Sequence, residues 1–125
     1  MQILHIKPVE QVQVDRGRLG TLFVQLGERE AEEILCRALE ELALRLGRCE
    51  KQFRQADWVA LRKNVRSLIA IGEQIGMQVM AQVAGDVTRC IDRSDATATA
   101  ATLARLIRVG ERSLTAVWDA QDVPG

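Results

Sequence analysis

The chain has 125 residues, of which 47% are hydrophobic, 27% charged and 3% aromatic, and its 17 basic side chains balance 17 acidic ones. This length suits one domain, and the composition is typical of helical proteins. A zero net charge excludes a whole-molecule attraction to nucleic acid or to an anionic membrane, and no segment has the apolar run of a membrane span or a signal peptide. We therefore expect a cytoplasmic protein with no membrane or nucleic-acid partner.

The amino-terminal segment differs from the rest of the chain. Residues 1–14 are predicted to be an extended or loosely ordered arm, because Pro8 and the valines that follow disfavour a helix. A helical domain over 15–120 follows, and 121–125 are expected to fray. Asp15 is the predicted N-cap of a short first helix, which Gly27 ends.

Four longer helices are predicted after Gly27, because apolar residues recur there at three-and-four spacing. Their expected ranges are 28–53, 57–71, 76–93 and 96–119. Short connections between long amphipathic helices make neighbours antiparallel. The predicted fold is therefore all-α, an up-and-down antiparallel four-helix bundle with a short extra N-terminal helix.

The predicted helix 57–71 has the clearest local signals. Asp57 is its expected N-cap. Its inner face is predicted to bury four apolar residues, with Gly72 either ending the helix or allowing a close approach. The four are Trp58, Leu61, Val65 and Leu68.

Residues for catalysis or metal binding are scarce. The only histidine, His5, lies on the arm, and no glycine-rich phosphate loop occurs. Cys36, Cys49 and Cys90 lack metal-ligand spacing, so we interpret them as reduced residues of the core type. The sequence predicts no enzyme activity, no cofactor and no metal.

The outer face of the predicted helix 57–71 and the turn after it is mixed in character. It combines three cations with apolar side chains, which is closer to a protein-binding patch than to an ordinary solvated face. The alternative is that its apolar residues are half-buried by neighbouring helices and the cations are only solvated. The residues of this face are Val59, Arg62, Lys63, Arg66, Ile69, Ala70 and Glu73.

Several segments together resemble one family. They are Val14-Asp15 with Leu19 and Leu22, the long amphipathic helix 28–53, the run 57–61, and the segment Arg-Ser-Leu-Ile-Ala-Ile-Gly-Glu-Gln-Ile-Gly over 66–76. Over about residues 12–118 this arrangement resembles the histidine phosphotransfer (HPt) domain of bacterial two-component signalling. In that family the pattern His-x-x-Lys-Gly is followed, six residues after its glycine, by a second glycine that opens the next helix.

The resemblance implies a position for each part of the motif. Counting back from Gly76 places the phosphoacceptor histidine at Arg66, the lysine at Ile69 and the small glycine at Ala70. A guanidinium has no lone pair available at neutral pH, so Arg66 cannot accept a phosphoryl group. The resemblance therefore implies the HPt fold and its docking surface without its phosphorelay activity.

The expected function is a non-catalytic, HPt-like signalling adaptor. We expect its outer face to dock a receiver domain or a histidine kinase. Arg62 and Arg66 would reach an acidic pocket of the partner, with Lys63 at the rim. The alternative is a structural, homo-oligomeric bundle, in which the same face joins two copies as a homodimer.

Overall fold

A computed structural model describes the backbone of residues 20–21 and 24–122, and the side chains within these ranges as far as residue 117. The predictions for the arm 1–14, for the cap at Asp15, for Leu19 and Leu22 and for the tail 123–125 lie outside the described residues.

All regular structure within the described ranges is helical, which confirms the all-α prediction. A short helical stretch over 24–26 precedes Gly27, and four long helices follow. They are α1 (Glu28–Arg54), α2 (Trp58–Ile75), α3 (Gln78–Asp92) and α4 (Ala96–Asp122). The last helix continues past its predicted end at residue 119. No described helix is both long enough and apolar enough to cross a lipid bilayer.

Two aspartates cap the starts of helices, and the cap at Asp57 is the one predicted from the sequence. The backbone N–H of Ala60 donates to the Asp57 carboxylate at 3.2 Å, and that of Ala98 donates to Asp95 at 2.9 Å. In both cases a side-chain oxygen satisfies a donor that the first helical turn leaves unpaired. Gly27, with φ of 85°, directly precedes α1.

The junction between α2 and α3 differs from the prediction. Helix α2 continues past Gly72 to Ile75, and Gly76 ends it in the left-handed conformation, with φ of 82°. The prediction that Gly76 begins the next helix is therefore wrong, since α3 begins at Gln78. A left-handed glycine terminates a helix because its N–H turns back to an orphan carbonyl, here that of Gly72.

The four helices pack as a closed ring around one core. Helix α1 packs against α2 and α4, and α3 packs against the same two helices. The connections between successive helices span only 55–57, 76–77 and 93–95. The largest fully buried side chains come from all four helices and include Leu35, Leu42, Leu61, Leu68, Met80, Val87, Leu106 and Val109.

Two glycines mark the places where helices approach most closely. A Cβ atom added at Gly72 would lie 2.8 Å from Met80 Cε and 3.2 Å from the Met77 carbonyl oxygen. One added at Gly110 would lie 2.6 Å from Leu46 Cδ1. Of the two roles predicted for Gly72, the close approach is the correct one.

Two residues predicted to be buried lie at the surface. Trp58 is 37% exposed and meets Phe53 edge to face, with ring centroids 5.5 Å apart. It is the first residue of α2 and is not part of the hydrophobic core. Cys36 is exposed because it follows the inward-facing Leu35, whereas Cys49 is buried as predicted.

Candidate functional site

The predicted docking residues all lie on α2, whose inner and outer faces separate cleanly. Leu61, Val65, Leu68 and Gly72 face the core, as expected from their spacing. Among the outer residues, Val59 is 79% exposed. Lys63, Arg66, Ala70 and Glu73 are also exposed, whereas Arg62 and Ile69 are half-buried.

The half-buried Ile69 contributes mainly to folding. It packs against the edge of the hydrophobic core. The alternative interpretation of this face, that its apolar residues are covered by neighbours, is therefore correct for Ile69 and wrong for Val59. The exposed apolar side chains of the face are those of Val59 and Ala70.

Arg62 is held by a carboxylate from the neighbouring helix. Its Nε donates to Asp92 Oδ1 at 2.7 Å, and its Nη2 donates to Asp92 Oδ2 at 2.9 Å. Two parallel N–H···O bonds of this kind are the strongest arrangement of an arginine–carboxylate pair. The hydrogen bond from Arg62 is the main cause that lowers the pKa of Asp92, and the same bond raises the pKa of Arg62.

Arg66 stands one turn further along the helix and is exposed. Its positive charge also contributes to lowering the pKa of Asp92. Arg62, Arg66 and Asp92 therefore form one electrostatic cluster on the outer side of α2 and α3. We call Arg62, Arg66 and Asp92 the arginine–aspartate cluster. Asp92 was not among the residues predicted from the sequence.

A second polar group missed by the sequence prediction lies on the inner side of α2. Asn64 is only 5% exposed. Its amide nitrogen donates to the Arg45 carbonyl oxygen at 2.9 Å and to Gln52 Oε1 at 3.2 Å, and its Oδ1 accepts from Arg45 Nη1 at 3.0 Å. Arg45 in turn pairs with Glu41 at 2.9 Å. Asn64 therefore joins α2 to α1 through a satisfied buried network.

The same network contains the buried thiol of Cys49. Its sulfur lies 3.4 Å from the Asn64 amide nitrogen. Burial raises the pKa of Cys49 to about 11, while the positive charge of Arg45 acts weakly in the opposite direction. A thiol with a raised pKa stays protonated at neutral pH, and Cys49 packs within the hydrophobic core.

Two clefts lie away from the predicted docking face. One, of about 370 Å³, is lined by Cys36 and Leu39 of α1 and Leu114 of α4. The other, of about 210 Å³, lies beside Trp58 and Thr99. Neither cleft is lined by any of the seven predicted docking residues.

The described ranges hold no group of three or more His, Cys, Asp and Glu side chains placed to bind a metal ion. His5 lies outside those ranges.

Comparisons with known proteins give no relative for the chain. No protein-family model matches it, and neither the curated proteins nor the solved structures include a match.

Proposed function

We propose that this protein is a non-catalytic, HPt-like signalling adaptor of the cytoplasm. In this proposal α1–α4 form an up-and-down antiparallel bundle preceded by a short N-terminal helix. The outer face of α2 docks a receiver domain or a histidine kinase without passing a phosphoryl group. The closed ring of helix contacts and the connections of two or three residues support the bundle.

The observation that carries the proposal is the exposed Arg66 side chain near the middle of α2. This is the position at which the resemblance places the phosphoacceptor histidine. Gly76 stands at the spacing of the family's second glycine, but it ends α2 in the left-handed conformation instead of opening the next helix. A permanently protonated guanidinium there attracts acidic groups and has no lone pair with which to attack a phosphoryl group.

The chemistry around Arg66 suits an acidic partner. Lys63 adds a second exposed cation, while Val59 and Ala70 add exposed apolar area next to the charges. A receiver domain offers clustered carboxylates around its metal site, which is the complementary charge pattern. Opposite charges across an interface mainly accelerate and orient association, and the apolar contacts then slow dissociation.

The test combines a binding assay with a transfer assay. Receiver domains and the helical dimerisation domains of histidine kinases from the source organism are purified and titrated against the full chain by calorimetry. Each phosphorylated receiver is then mixed with the chain, and labelled phosphate is followed. We expect a complex with at least one partner and no label on the chain. Label on the chain, or no binding to any of these domains, would refute the proposal.

A charge reversal locates the surface. Arg66→Glu is expected to weaken the complex by more than about 2 kcal/mol, roughly thirtyfold, if Arg66 meets buried acids. Arg48→Glu makes the same charge change at an exposed position of α1 and is the matched control. Equal affinity losses in the two variants would show a general charge effect and place the docking surface elsewhere.

Self-association is the second candidate function, favoured by the exposed Val59 beside the partly exposed Trp58. Apolar side chains of this size on one face suit a two-fold contact between copies. Sedimentation of the chain at several concentrations separates the two functions. A homodimer that Val59→Asp disrupts would support self-association, and a monomer at all concentrations would exclude it.

A further inference from the structure

The pairing of Arg62 with Asp92 affects the face proposed for docking. The two residues are 30 positions apart, on α2 and at the last position of α3, and both side chains remain partly exposed. The carboxylate occupies the edge of the guanidinium formed by Nε and Nη2. This is one of the two edges through which arginine binds a carboxylate in a bidentate manner.

Asp92 is placed where a carboxylate is not favoured by its own helix. It is the last residue of α3, and the carbonyl groups at a helix C-terminus carry partial negative charge. The positive charges of Arg62 and Arg66 offset this unfavourable position. The acid therefore depends on the same two cations that a docking partner would use.

We propose that Asp92 competes with the acidic group of a docking partner for the guanidinium of Arg62. The proposal rests on the proposed docking function and adds a specificity rule to it. A partner with a single acidic group gains little binding free energy from Arg62. Its acid must displace Asp92, or it must bond only to those N–H groups of Arg62 that Asp92 does not use. A partner with several carboxylates close together engages Arg66 as well, and so compensates for the exchange.

The competition has a consequence for affinity. Removing the charge of Asp92 weakens the contact that occupies the Nε–Nη2 edge of Arg62 and so makes that edge available to the partner's acidic group. The complex should then become tighter although a native contact has been lost. A residue that only fastened α2 to α3 would give the opposite result, because its removal would loosen the docking surface.

The experiment is a double-mutant cycle, read by calorimetry with a receiver domain that binds the wild-type chain. The variants are Asp92→Asn, Arg62→Gln and their combination. Asp86→Asn is the matched control, because it removes one acid from the same helix, where Asp86 pairs with Arg89 within α3. We expect Asp92→Asn to tighten binding about two- to fivefold, the range that exposed ion pairs cover. Asp86→Asn should do less, and the gain should vanish when Arg62 is glutamine.

The outcomes separate this inference from the docking proposal. If Arg66→Glu weakens binding but Asp92→Asn leaves it unchanged or weaker, the competitor role is wrong and docking stands. The competitor role is also wrong if the gain persists without Arg62 or is equalled by Asp86→Asn. If Arg66→Glu has no effect, the docking surface itself is wrong.

Discussion

The inner and outer faces of α2 belong to the same helix but differ in burial. The inner face presents fully buried leucine and valine side chains, including Leu61, Val65 and Leu68. The outer face carries the exposed Lys63 and Arg66, whose environment is water and neighbouring charge. The inner face fixes the fold through close packing, whereas the outer face can change its chemistry at little cost in stability.

The largest expected effect contrasts one residue from each face. Leu68→Ala is predicted to lower the free energy of unfolding by about 2–5 kcal/mol, because a fully buried side chain is replaced by a cavity. Arg66→Ala, two positions away and exposed, should change it by no more than about 0.5 kcal/mol. Urea denaturation followed by circular dichroism measures both. Comparable losses would mean that Arg66 takes part in the packed structure.

The inner face was predictable from the sequence because the buried residues of a helix recur at a regular spacing. Leu61, Val65, Leu68 and Gly72 recur at three-and-four spacing, and the structure buries all four. The pattern was misleading at Trp58, which the same periodicity places near the core. Periodicity reports the direction of a side chain and not how far along the helix the neighbouring elements extend.

The next prediction concerns the close approach of α2 to α3. Gly72→Leu is expected to cost about 1–3 kcal/mol, because even its Cβ atom would meet Met80 Cε at 2.8 Å and the Met77 carbonyl oxygen at 3.2 Å. Ala70→Leu adds a similar bulk to the exposed face of the same helix and is the control. The two variants are compared by thermal and urea unfolding. A tolerated Gly72→Leu would show that α3 moves away at little cost.

A polar residue on the inner face gives the third prediction. Asn64→Ala should lower the free energy of unfolding by about 1–3 kcal/mol, because it leaves the Arg45 carbonyl oxygen and guanidinium without their buried partner. Ser67→Ala is the matched control, since the Ser67 hydroxyl bonds only the Lys63 carbonyl of its own helix, at 3.3 Å. Urea unfolding of the two variants tests the difference. Equal stability of Asn64→Ala and the wild type would show that the network is energetically neutral.

The polar contacts of α2 were not predictable in the same way. Asn64 stands three residues after Leu61 and four before Leu68, so its place on the inner stripe was a signal in the sequence. Its partners on α1 were not, because they depend on how two helices are set against each other. The pairing of Arg62 with Asp92 spans 30 positions and likewise arises only from the packing of α2 on α3. The sequence therefore located the cations on the outer side of α2 but not the acid that pairs with Arg62.

The smallest expected effect is the pH response of that acid. Asp92 has a pKa lowered from the ordinary 3.8, chiefly by its hydrogen bond from Arg62. A lowered pKa in the folded state means that the pair stabilises the fold above the unfolded value and ceases to do so as the pH falls through the folded one. Carbon-detected NMR of the Asp92 carboxyl group should give a midpoint below 3.8 in the wild type. In Arg62→Gln the midpoint should rise, because the hydrogen bond from Arg62 and its positive charge are both lost. An unchanged midpoint would show that Arg62 and Asp92 do not pair in solution. Asp92 would then not occupy the guanidinium of Arg62.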